Sequence, residues 1–69
     1  MKIKLNDKEL EISHSITLEE LLLKEINLSP DKKGVAVAVN DNIIPKNDWK
    51  NLKINDNDEI LVIIAAQGG

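Results

Sequence analysis

The chain closes on Gly68 and Gly69, directly after Ala65-Ala66-Gln67 and the most apolar run in the sequence. Glycine loses more backbone entropy on ordering than any other residue, so the pair is a poor way to continue a strand. Last residues of a domain are often mobile. Yet with glycine near 7% of average usage, a Gly-Gly end arises by chance in roughly one chain in two hundred. Without Cβ atoms, such a backbone can thread a channel too narrow for other residues. From Ile64 to Gly69 the extended chain spans about 17 Å, enough for Ala66, Gln67 and Gly68 to carry the tip into a partner's site. The only reactive group at that tip is the α-carboxylate of Gly69. A carboxylate resists nucleophiles until one oxygen becomes a leaving group, most simply through ATP as an acyl-adenylate. The sequence contains no cysteine, so sulfur cannot be carried as a persulfide. A covalent cargo at the tip is therefore held by an acyl bond at Gly69.

Other chemistry-bearing residues are sparse. Asn55-Asp56-Asn57-Asp58-Glu59 invites a calcium reading, because EF-hand loops place oxygen ligands at alternate positions. Counting from Asp56, the required glycine at the sixth position is Leu61 and the glutamate at the twelfth is Gln67, so the pattern fails. A turn feeding the last strand is the better reading. His14 stands without a second histidine or a cysteine, which predicts an exposed loop residue rather than a metal ligand. Trp49 is the only aromatic residue. It is expected to cap the core with its indole edge at the surface. No tyrosine is present and no nucleophile–base pair is evident, so an enzyme in its own right is not expected. No metal or cofactor bound by this chain is expected either.

Sixty-nine residues make one domain at the small end of what folds without staples. A net charge of -3 argues against a nucleic-acid footprint, which wants a basic face. No apolar run approaches the roughly 20 residues of a membrane span. Met1 leads straight into a strand-like segment, so no signal peptide is expected. Together these predict a soluble cytoplasmic protein, monomeric on its own.

The elements that must present the tail follow from periodicity. Met1–Leu5 alternates apolar and charged residues, as a half-buried strand does. After the turn Asn6-Asp7-Lys8, Leu10 and Ile12 mark a second strand, with Glu9 and Glu11 facing water. Thr17 and Glu20 sit at capping-box spacing, with Ile16 and Leu21 placed for a hydrophobic staple. Leu18, Leu21, Leu22 and Ile26 then cover one side of a helix that stops at Asn27, before Ser29-Pro30. Val35–Val39 is a third strand, bounded by Gly34 and a turn at Asn40-Asp41-Asn42. Ile43-Ile44 is a short fourth strand ended by Pro45. Residues 45–51 are irregular, or one helical turn. Asp58–Ala65 is the fifth strand, apolar enough to be paired on both sides. The order predicts an α+β roll: one main helix on one face of a mixed five-stranded sheet, with the last strand in the middle and parallel to the first. Residues 65–69 are then a tail projecting past the sheet. Alternation along the last strand turns Ile60, Val62 and Ile64 toward the helix. Leu61 and Ile63 fall on the other side, either as ordinary surface residues or as an exposed apolar pair suited to a partner interface.

Over its whole length the chain resembles the ubiquitin-like β-grasp sulfur carriers of the ThiS/MoaD family, and most closely the thiamine branch. The resemblance rests on "KIKLN", "TLEELL", "VAVAVNDNIIP", the tryptophan, "NDNDEILVI" and the terminal "GG", of which only the last is chemically specific. It implies that a ThiF-like adenylating enzyme activates Gly69 with ATP and Mg²⁺. Sulfur from a cysteine desulfurase then makes a thiocarboxylate, and a ThiG-like thiazole synthase takes the sulfur for the thiazole ring of thiamine. Leu61 and Ile63 match the family's partner-facing positions. Asn57 stands where the family usually has glycine in the final turn. A MoaD-like carrier for molybdopterin synthesis typically has prolines before its Gly-Gly, whereas this chain reads "IIAAQGG". A ubiquitin-like modifier would pass Gly69 to lysine amines, and a non-covalent β-grasp binding module would not need the tail at all.

Overall fold

The computed structural model describes residues 1–65. Five strands and one helix follow in the order β1 (Lys2–Leu5), β2 (Lys8–Glu11), α1 (Leu18–Ile26), β3 (Val35–Val39), β4 (Asn42–Ile43) and β5 (Glu59–Ile64), with a single 3-10 turn at Lys46–Asp48. They form one mixed sheet of spatial order β2-β1-β5-β3-β4. β5 lies in the middle, parallel to β1 and antiparallel to β3. The two hairpins, β1–β2 and β3–β4, are antiparallel and flank it. This is the β-grasp roll that the element order predicts.

The helix begins where its local chemistry dictates. Thr17 has extended dihedrals, and its hydroxyl accepts the Glu20 N–H at 3.2 Å while the Glu20 carboxylate accepts the Thr17 N–H at 3.0 Å. The bonds from the Thr17 backbone and hydroxyl hold the Glu20 carboxyl below its usual range. Two further orphan amides are met by the loop that follows β4: Leu18 N–H donates to the Leu52 carbonyl and Glu19 N–H to that of Trp49. At the other end Asn27 adopts the left-handed conformation, with φ 53°. Asparagine enters that region more readily than other residues with a Cβ.

The core lies between α1 and one face of the sheet. Ile3 and Leu5 of β1, Val37 and Val39 of β3, and Ile60 of β5 pack with Leu18, Leu21 and Leu22 in one buried cluster. Ile16 is buried in the same cluster, as its staple position predicts. Ile26 is a correction: it is 43% exposed. The left-handed turn at Asn27 folds the chain back so that the Leu28 N–H reaches the Leu22 carbonyl, and buried Leu28 supplies the core contact expected of Ile26. Trp49 is a second correction. It is 1% exposed, because its indole Nε1–H donates to the Ile44 carbonyl at 3.0 Å and so needs no water.

The fourth strand spans Asn42–Ile43 rather than Ile43-Ile44. Asn40 and Asp41 both take positive φ, 50° and 72°, closing a two-residue hairpin that pairs Asn42 with Val39. Gly34, with φ 75°, turns the chain into β3 at a position where a side chain would be strained. Asn57, at φ 71°, occupies the left-handed region that a glycine would enter more freely.

Two outcomes check this packing. Leu22→Ala should cost about 2–5 kcal/mol in urea unfolding as a truncation inside the core. Ile26→Ala should cost under about 1 kcal/mol, since its side chain is already partly in water. Similar losses for both would mean that the helix face is misplaced. Along β5, Ile60→Asp should abolish cooperative unfolding, whereas Ile63→Asp should preserve it, because only an exposed position tolerates an unpaired charge. Collapse of the Ile63 variant would put that residue in the core.

Candidate functional site

β5 divides its side chains between two environments. Ile60 is buried under α1 and Val62 is half-buried on the same side. Leu61 and Ile63, each 50% exposed, stand on the face that the helix leaves open. That is the placement expected from the alternation of the strand.

Strand register adds residues that alternation within β5 alone does not reveal. Ala38 lies opposite Leu61 on one side and Ile43 on the other, and Ala36 lies opposite Ile63. Residues directly opposite share a face. The open face therefore carries a row Leu61–Ala38–Ile43 and beside it a row Ile63–Ala36. Ile43 is 64% exposed. The two alanines make a shallow floor between the side chains of Leu61 and Ile63 and that of Ile43. The size alternation of Val35-Ala36-Val37-Ala38-Val39 was the available signal, with the valines on the helix side and the alanines on the open face, where Ala36 is half-buried and Ala38 is buried between Leu61 and Ile43.

The other half of the open face is charged. Glu9, Lys4 and Glu59 lie side by side across β2, β1 and β5, and Lys2 lies opposite Glu11. An apolar half and a charged half thus share one sheet surface. Such a surface offers a partner both a desolvated centre and a polar border.

What sets this arrangement is the entry to β5. Asp58, 8% exposed, is the one buried ionisable side chain among the described residues. Its Oδ1 accepts from Asn40 Nδ2 at 2.8 Å and its Oδ2 from the Asn55 N–H at 2.7 Å. The Asn40 side-chain carbonyl in turn accepts the Glu59 N–H at 3.0 Å. The backbone carbonyl of Asp58 takes the Lys4 N–H at 2.9 Å. Asn55–Glu59 is thus a turn that locks strands together.

His14 is exposed in the loop between β2 and α1, with Ser13 Oγ 3.3 Å from its Nδ1. Among the described residues no group of three or more His, Asp and Glu side chains is placed to hold a metal ion. No helix there is long and apolar enough to cross a membrane. Gly69, Gly68, Gln67 and Ala66 lie outside the described residues. Ala65 is the last one described, its N–H donating to the Gly34 carbonyl at 2.7 Å.

Comparison with known proteins agrees with this geometry. The ThiS family model matches residues 2–69. The sulfur carrier protein ThiS of Escherichia coli is 32% identical over 69 residues, covering 100% of both chains. A thiazole synthase of Paramagnetospirillum magneticum is 35% identical over 69 residues, which is all of this chain but 20% of that protein's length. Among solved structures, the crystal structure of the thiamine biosynthesis protein ThiS from Geobacter metallireducens superposes with a TM-score of 0.75 at 22% identity, over 100% of both chains. A solution structure of a thiamine biosynthesis protein from the same organism gives 0.76 at 18% identity, over 100% of this chain and 88% of that one. The family model over residues 2–69 and the end-to-end match to a relative at 32% identity assign the chain to the ThiS family.

Proposed function

We propose that this protein is a sulfur carrier for thiazole formation in thiamine biosynthesis and that Gly69 is its covalent site. The observation that carries the reading is the Gly-Gly end of a cysteine-free chain that matches the Escherichia coli carrier from end to end. The Gly69 carboxylate attacks the α-phosphorus of ATP on an adenylating enzyme, with Mg²⁺ on the leaving pyrophosphate, and an acyl-adenylate forms. The outer sulfur of a persulfide drawn from a cysteine desulfurase then displaces AMP to give an acyl disulfide, and a thiol reductant supplies the two electrons that cleave its S–S bond and leave a thiocarboxylate. The match to one fifth of a thiazole synthase supports thiazole synthase as the acceptor of that sulfur.

In this scheme the carrier supplies substrate rather than catalysis. Leu61 and Ile63 dock on the adenylating enzyme, while Ala66, Gln67 and Gly68 thread its channel. An interface centred on a few desolvated apolar side chains can be specific and still release the carrier between partners.

Incubation with the adenylating enzyme, ATP, Mg²⁺ and a sulfur donor should replace one oxygen of the protein by sulfur in intact mass spectrometry. Fragmentation should place the change on Gly69. Removing Gly69 leaves a carboxylate on Gly68, about 3.5 Å short of the reacting position. Near-attack geometry tolerates far less than that, so turnover should collapse while folding persists. A clipped protein that supplied sulfur at the normal rate would overturn the carrier reading and favour a non-covalent binding module. Transfer of Gly69 to lysine amines instead would favour a protein modifier.

A further inference from the structure

β5 sends backbone hydrogen-bonding groups toward both of its neighbours, and its last residues have a neighbour on one side only. On the β3 side, the Asn40 N–H donates to the Glu59 carbonyl at 2.8 Å and the Ala65 N–H to the Gly34 carbonyl at 2.7 Å. Groups alternate along an antiparallel ladder, so the odd-numbered residues of β5 face β3 and those of Ile60, Val62 and Ile64 face β1.

β1 does not run far enough to meet them all. Asn6 donates its N–H to the Ile60 carbonyl at 2.7 Å. Its φ of 55° then turns the chain out of the ladder toward β2. The Asn6 side chain makes one more bond, its Oδ1 accepting the Val62 N–H at 2.8 Å. Beyond it come the Val62 carbonyl and the Ile64 N–H, which have no partner among the described residues.

We infer that this short open edge, the Val62 carbonyl and the Ile64 N–H, takes an extended strand of the adenylating partner, which adds to the sheet beside β5. The inference rests on the carrier reading and names a second contact for the same partner. Three features favour a strand there. Natural edges are guarded by charge, proline or a bulge. The outer edge β2 is so guarded, with Lys8, Glu9 and Glu11, whereas the open stretch of β5 carries only apolar side chains. Ile63 on the open face and Ile64 on the helix side are both at least half exposed, so an added strand finds apolar surface on each face for its alternating side chains. The edge also sits immediately before Ala65, where a partner drawing the tail into a channel must pass. Pairing at Ile64 would align the root of the tail with β5 before Gly69 reaches its site.

The test separates the backbone from the side chain. Ile64→Pro removes the N–H at an edge position, where proline is tolerated, and Ile64→Ala trims the side chain but keeps the N–H. In calorimetric titration with the purified adenylating enzyme, the proline variant should bind about five- to ten-fold more weakly than the alanine variant, the size of one lost hydrogen bond. In the wild-type protein, the Ile64 amide should exchange fast when free and slowly in the complex, while the Ile63 amide is slow in both. This arm decides the question even if the proline variant fails to fold. Equal affinity of the two variants, or an Ile64 amide still fast in the complex, would overturn the inference. If Ile63→Asp abolishes binding while Ile64→Pro matches Ile64→Ala, the open-face reading stands and the edge reading falls. Failure of the wild-type protein to bind overturns both. Slowing of the Ile64 amide with protein concentration alone would assign the edge to a second copy of this chain.

Discussion

The register of β5 against β3 is the constraint on which the rest depends, and the buried Asp58 carboxylate fixes it. Side chains alternate with period two along a strand, so a slip of one residue would exchange the two faces of β5. Ile60 and Val62 would turn into water, and Leu61 and Ile63 into the core. Hydrophobicity alone opposes that slip weakly, since Ile60, Leu61, Val62, Ile63 and Ile64 are all apolar. The polar bonds at the strand's entry distinguish the two registers. Asp58 is tied to the end of β3 through Asn40 and to the preceding turn through Asn55, and its carbonyl is tied to β1 through Lys4. A slipped strand would leave a buried carboxylate without those donors, at a cost of about 1–3 kcal/mol or more. A short polar turn thus determines which hydrophobic residues the open face presents.

Local signals were legible in the sequence, and signals that depend on distant segments were not. The Thr17–Glu20 capping box, the stop at Asn27 and the two faces of β5 follow from spacing within a few residues, and the structure has them. The exposure of Ile26 depends on where the chain goes after the helix: the turn at Asn27 hands its core position to Leu28. The burial of Trp49 depends on the Ile44 carbonyl, which reaches the indole only once residues 44–49 have closed around it. Ile43 joins the open apolar face because a two-residue hairpin sets it opposite Ala38, and that register is not visible within Ile43-Ile44 alone. The Asn40–Asp58 bond joins residues from two separate turns, so neither turn announces it.

The architecture separates recognition from chemistry. The proposed covalent step occurs at one terminal atom, which the fold need only present. The sheet supplies the rigid part: β5 is held between β1 and β3, and its open face combines an apolar half around Leu61 and Ile63 with a charged half around Lys4, Glu9 and Glu59. In the proposed scheme, partners of different chemistry share this face in turn, with the tail rather than the face entering their reaction sites. Membership of the ThiS family is consistent with this division.

If the face of β5 opposite the helix meets the adenylating partner, chemical-shift mapping of labelled protein during titration with that enzyme will show it. The predicted result is a contiguous set of perturbed residues at Ala36, Ala38, Ile43, Leu61 and Ile63, with the outer surface of α1 at Lys24 and Glu25 silent. Perturbations centred on α1, with the open face unchanged, would contradict it.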